Sequence, residues 1–130
     1  MSDRTNYSSG SAWEDYVGYS RVVKYGQHIE VSGTVAADDD GMVVGRNDAY
    51  QQTLFALQKI ERALQQAGAS LNDVVRTRMF VTDITRFDEY GRAHAEIFGK
   101  IRPCTSMIEV KSLVAPEYLI EIEATAITRA

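Results

Sequence analysis

Apolar and polar residues alternate with a period of two along several stretches of the chain, and recur every three to four residues along two others. Between Tyr19 and Val35, Ile29 and Val31 point one way while His28, Glu30 and Ser32 point the other, which predicts a half-buried strand. Gly26 interrupts the stretch, so it divides into two short strands joined by a tight turn. Asp38-Asp39-Asp40-Gly41 has hairpin-turn chemistry, because Asp-Gly tolerates positive φ, and Met42-Val43-Val44 follows as a short strand. The three aspartates lack the spacing of a calcium loop and its closing Glu, so they read as a solvated turn.

Asn47 to Ala67 is predicted as a helix, with Tyr50, Leu54, Leu57, Ile60, Leu64 and Ala67 on one face. Asn47 or Asp48 caps its start, and Gly68 suits a left-handed end. Val74 to Thr82 alternates as a strand. Thr85-Arg86-Phe87-Asp88 opens a second helix as a capping box, Asp88 replacing the usual Glu, and Phe87, Tyr90, His94, Ile97 and Phe98 line its apolar face up to Gly99. After Pro103 come a strand over Thr105–Lys111, a loop over Ser112–Tyr118 and a last strand over Leu119–Thr128. Residues 1–12 are Ser-rich and aperiodic, and are predicted as a flexible tail before a single domain over 13–130. The order β-β-(β)-α-β-α-β-β gives an α+β fold: a mixed sheet of five to six strands with two helices on one face.

The strand faces say more. In the last strand Ile120, Ile122, Ala124 and Ala126 suit the side under the helices, while Leu119, Glu121, Glu123 and Thr125 face away. In Val74–Thr82, Arg76, Arg78 and Phe80 alternate with Val75, Thr77, Met79 and Val81. Two helices cover only one face. Phe80, Leu119 and Ile127 would leave a large apolar exposure on a monomer, so the second face predicts a homo-oligomer with pockets at its seams.

Composition narrows the function. The 130 residues allow one domain on a prior of roughly 150 residues each. Lys plus Arg is 14 against 18 Asp plus Glu, a net charge of −4 that argues against nucleic-acid binding. No apolar run approaches the ~18 residues of a membrane span, and Met1–Asn6 has no secretory apolar core. The expectation is a cytoplasmic protein without membrane contact. Two separated histidines, His28 and His94, and the single Cys104 make a metal site improbable. A Cys104–His94 nucleophile pair is conceivable, but Cys reads more simply as a small buried hydrophobe and His94 as part of a helix stripe. Glu121, in the middle of an ordered strand at a subunit seam, is either a general base activating water or an ion-pair partner of Arg76 or Arg78.

Tyr19, Ile29-Glu30-Val31-Ser32-Gly33, Val75-Arg76-Thr77-Arg78-Met79-Phe80-Val81-Thr82-Asp83, Arg102-Pro103 and Ile120-Glu121-Ile122-Glu123-Ala124 stand in an order that resembles the Rid/YjgF family. These are reactive-intermediate deaminases, also called L-PSP endoribonucleases, and the likeness runs from about Tyr16 to Arg129. It implies a chorismate-mutase-like subunit in a homotrimer whose sheets form a central barrel, with small-molecule pockets between subunits. It also implies cofactor-free hydrolysis of enamines and imines such as 2-aminoacrylate. By motif, the pocket residues are Tyr19, Ser32 with Gly33, and Glu121 on the attacking water. The family's substrate-binding Arg, two residues after Pro, is replaced by Thr105 in Pro103-Cys104-Thr105-Ser106. Arg102 stands three residues away as the alternative cation. Three readings follow: an enamine or imine hydrolase acting on a substrate unlike 2-aminoacrylate, a non-catalytic metabolite binder or regulator, and a ribonuclease. The acidic charge and the lack of a basic groove make the third the weakest.

Overall fold

The structure, a computed structural model, describes residues 3–129. In chain order the elements are β1 (Arg4–Tyr7), α1 (Ala12–Val17), β2 (Val22–Tyr25), β3 (His28–Thr34), α2 (Ala49–Gln66), β4 (Val74–Val81), α3 (Phe87–Phe98), β5 (Cys104–Glu109) and β6 (Ile120–Ile127). The six strands form one sheet in the order β1-β2-β3-β6-β4-β5. All pairs are antiparallel except β4 with β5, which α3 connects as a parallel crossover. The last strand of the chain is thus an inner one. Its alternation is strict, Ile120, Ile122, Ala124 and Ala126 being buried, as predicted.

Helix α2 lies over β3 and β6 and packs against α3. Asp48 caps it by accepting the Gln51 N–H at 2.9 Å, and Gly68, at φ 80°, turns the chain away at its end. Its buried face includes two polar residues that apolar periodicity misses. The Gln52 amide donates to Gly45 O at 3.1 Å and Glu117 O at 2.9 Å and accepts from Leu119 N at 2.8 Å, stitching two loops to the helix. The Thr53 hydroxyl donates to Ala49 O at 2.8 Å.

The structure departs from the sequence reading in four places. Residues 4–7, expected within a flexible tail, pair as β1 with Tyr25 to Val22, and residues 1–2 lie outside the described residues. An edge strand needs only backbone partners, and the exposed Arg4, Thr5 and Asn6 leave no alternation to read. The short α1 follows, too brief for a period to register. Met42–Val44 makes a single bridge, Ala37 to Val43, in place of a strand. Asp38 organises this turn by accepting N–H groups of Asp40 and Met42, both at 2.9 Å. Helix α3 starts through Asp83, whose carboxylate accepts from the Thr85 N–H and hydroxyl after a single 3₁₀ turn over Ile84–Arg86; Phe87 consequently stands exposed instead of lining the apolar face. Finally, β4 slips register against β6 between Val74 and Arg76, so Val75 turns to the open face instead of the core.

Replacing the buried Ile60 by Ala is expected to cost about 2–5 kcal/mol in denaturant unfolding, and Asp48→Ala about 1 kcal/mol through the lost cap. Equal, negligible costs for both would contradict the packing of α2.

Candidate functional site

At position 33 a side chain of β6 lies directly over the backbone of β3. A Cβ on Gly33 would stand 1.9 Å from Glu121 Oε2 and 2.8 Å from its Cδ, so the carboxylate lies across bare backbone. The gap arises at a bulge. Val31 pairs with Ala124 and Thr34 with Ile122, so three residues of β3 advance against two of β6 and Ser32 and Gly33 share one place.

Arg21 secures that bulge. Its Nη1 donates to Thr34 Oγ1 at 2.8 Å, Gly33 O at 3.0 Å and Ser32 O at 3.3 Å. Lys59, from α2, donates to Val35 O at 3.1 Å at the next residue along. The Ser32 hydroxyl is turned inward, donating to Ser20 O at 2.6 Å. Tyr19 emerges from the end of α1, where the N–H groups of Gly18 and Tyr19 both bond Glu14 O, and its ring lies 5.8 Å from the Arg21 guanidinium. Tyr19 and Ser32 also line an open hollow of about 530 Å³ with Asn6 and Glu14.

Glu121 is half-buried. Burial pushes its carboxyl above the ordinary carboxylate range, Glu123 on the same face adds to the rise, and Arg21 opposes it. Arg78 stands opposite Glu123 in register, yet among the described residues no ion pair joins Glu121 or Glu123 to Arg76 or Arg78. Within one chain Glu121 is therefore an unneutralised carboxylate beside backbone, able to hold or release a proton nearer neutrality than an ordinary Glu.

Residues 10–128 match the family model described as Endoribonuclease L-PSP. The chain is 34% identical over 108 residues to the 3-aminoacrylate deaminase RutC of Acinetobacter baylyi, covering 83% of this chain and 85% of that protein. A RutC family protein of Pyrococcus abyssi is also 34% identical over 108 residues, covering 83% of this chain and 84% of its own. Among solved structures, Rv2704 of Mycobacterium tuberculosis, a member of the YjgF/YER057c/UK114 family, superposes with a TM-score of 0.87 at 54% identity, over 96% of this chain and 99% of that one. The chain belongs to the Rid/YjgF family.

Set against the Rid pocket implied by motif, the subunit brings together Tyr19, Ser32, Gly33 and Glu121 around Arg21, which the sequence reading did not single out. Arg21 carried no signal, since the carbonyls it binds converge only because β3 bulges. Thr105 and Arg102 stand elsewhere. Thr105 pairs with Thr77 on the outermost strand, on the helix-facing side, with β4 between it and β6. Arg102 closes the end of α3, its Nε donating to Gly99 O at 3.0 Å and its N–H to Phe98 O at 2.8 Å. Cys104 is exposed, not a buried hydrophobe, and pairs in register with Arg76 on the face away from His94. The conceivable Cys104–His94 pair is not formed.

Gly33→Ala is expected to displace the Glu121 carboxylate and lower stability measurably. Gly33→Ala in a Glu121→Ala background is expected to cost much less, a non-additivity of about 0.5–3 kcal/mol in a double-mutant cycle. Additive effects would mean that the two residues do not touch.

Proposed function

We propose that this chain hydrolyses small enamines or imines to carbonyl compounds and ammonia, without a cofactor, in a pocket completed by a neighbouring copy within a homotrimer. The observation that carries the reading is Glu121, a half-buried carboxylate with raised proton affinity lying over the Gly33 backbone. Glu121 takes a proton from water as the water oxygen bonds to the imine carbon, and hands that proton to the nitrogen to give a neutral carbinolamine. Glu121 then takes the carbinolamine hydroxyl proton and passes it to nitrogen as the C–N bond breaks, leaving the carbonyl and ammonia. The balance is C=NH plus water to C=O plus ammonia. An enamine enters the same path once proton transfer to carbon has made it an imine.

The relative named as a 3-aminoacrylate deaminase supports the reaction class. Thr105 supports a substrate other than the 2-aminoacrylate type, because a hydroxyl offers no charge to a carboxylate. That same residue favours the second reading, a metabolite-binding protein of the same fold. The homotrimer is supported by the open sheet face, which carries the exposed Val75, Ile108 and Ile127 beside Glu121 and Glu123. Among the described residues no helix is long and apolar enough to cross a membrane.

Glu121→Gln is expected to lower kcat/KM on freshly generated imines by about 10²–10⁴-fold, the span of general acid–base catalysis. Because only the ionised carboxylate accepts the proton, activity should fall with decreasing pH along a limb above the ordinary Glu value of 4.5. Thr105→Arg is expected to raise turnover of carboxylate-bearing imines roughly ten- to a hundredfold by adding a charge-assisted contact. Unchanged rates in Glu121→Gln would leave the binding reading as the better one. Light scattering is expected to give three times 14.5 kDa, and a stable monomer would remove the shared pocket.

A further inference from the structure

The segment that leads into β2 grips the β3 bulge through hydrogen bonds whose direction is fixed by chemistry, since a guanidinium only donates and a carbonyl only accepts. Arg21 Nη1 donates to Thr34 Oγ1 at 2.8 Å, Gly33 O at 3.0 Å and Ser32 O at 3.3 Å. The buried Thr34 hydroxyl, filled on its acceptor side, passes its own proton to Ser32 O at 2.8 Å. In return the Ser32 N–H donates to Arg21 O at 3.0 Å, and the Ser32 hydroxyl to Ser20 O at 2.6 Å. Main chain and side chain of Arg21 thus hold the same bulge from two directions.

The same residue also meets the charges of the site. Glu123 stands two residues along β6 from Glu121, Phe80 and Arg78 lie across from these two on β4, Lys59 approaches from α2 and Glu14 from α1. Burial and then Glu123 favour the protonated form of Glu121, and Arg21 favours the ionised one. Burial and then the Arg21 charge push the Lys59 ammonium toward neutral, so the guanidinium is felt on the helix side of the bulge as well.

We propose that Arg21 is a positioning residue for the imine hydrolysis, its fork fixing the Ser32–Gly33 bulge on which the Glu121 carboxylate rests and its charge standing beside that carboxylate at Gly33. The proposal rests on the proposed function in taking Glu121 as the base. The two parts are separable. Shape comes from the bonds to three acceptors, without which Gly33, free of a side chain, lets the bulge relax to other conformations. Charge counts because only an ionised carboxylate accepts a proton from water. Lysine keeps the charge but lacks the reach and the planar fork, whereas glutamine lacks the charge.

Measurements on the full chain test both parts. Carboxyl ¹³C titration of glutamate-labelled protein, with the Glu121 signal identified by its loss in Glu121→Gln, is expected to give a higher midpoint in Arg21→Gln than in the natural protein. Arg21→Lys is expected to keep the natural midpoint. An unchanged midpoint in Arg21→Gln would overturn the proposal. Where Arg21→Gln does not fold, the new ammonium of Arg21→Lys is the reporter. Its ¹⁵N titration is expected to move to lower pH when Glu121→Gln is added, and no movement would equally overturn the proposal. Amide hydrogen exchange over Ser32–Thr34 is expected to rise roughly tenfold or more in Arg21→Lys, with α2 unchanged. Unchanged exchange would remove the clasp. On freshly generated imines, Arg21→Lys should lower kcat roughly ten- to a hundredfold with the acid limb in place, and Arg21→Gln should move that limb to higher pH. Titration and exchange involve no turnover, so a failure of Glu121 as base would leave both results standing.

Discussion

A carboxylate can rest on a strand only where no side chain rises beneath it, and at Gly33 this condition organises the subunit. The space exists because β3 carries one residue more than β6 between Val31 and Thr34. A bulge releases backbone carbonyls from the ladder, and a buried acceptor left unpaired costs about 1–3 kcal/mol. Arg21 meets that demand at Ser32 O and Gly33 O and ties in the Thr34 hydroxyl, while Lys59 adds a donor at Val35 O. Glycine, bulge and guanidinium are therefore one device. Its product is a carboxylate held against backbone at the centre of a rigid sheet.

The electrostatics set this carboxylate apart from the other charges of the chain. His28–Glu30 and Arg86–Glu89 are close contacts near the surface, and such pairs contribute little to stability. Glu121 has the opposite situation. It is half-buried, a like charge stands two residues along the strand, and the nearest cation is engaged with carbonyls. A group kept in a place where its ionisation is disfavoured does not serve folding, and perturbed carboxyls of this kind cluster at sites of proton transfer.

The pleat explains why one subunit carries only part of the pocket implied by motif. Thr105 belongs with Thr77 and the helices, Glu121 with Phe80 and the open face, and β4 separates their strands. Side chains that leave a sheet on opposite faces cannot converge on one small molecule. The proposed trimer resolves this by letting the edge strand of one copy meet the bulge of the next. The open face, where Val75 and Ile127 lie exposed, is the surface such an assembly would cover.

Much of this was legible in the chain. The spacing of Leu57, Ile60 and Leu64 is a helix period, and the alternation of Ile120 to Ala126 is a strand with one face under the helices; both follow from burial of one face and survive in the structure. Glu121 stood out because a charge in such a strand has no local reason to be there. What stayed hidden depends on neighbours distant in sequence. β1 is polar because an edge needs only backbone partners, and Gln52 is buried because loops near Gly45 and Glu117 offer it three bonds. Val75 and Arg21 take their places from two bulges, which a strict period of two cannot register. Thr105 meets Thr77, 28 positions back along the chain, and Thr77 in turn meets His94. Sequence by itself determined the two long helices, the inner strands and the family, because each of those elements buries one apolar face. Only the tertiary structure decided which polar groups meet, because hydrogen bonds depend on distance and direction between atoms that the chain order does not place together.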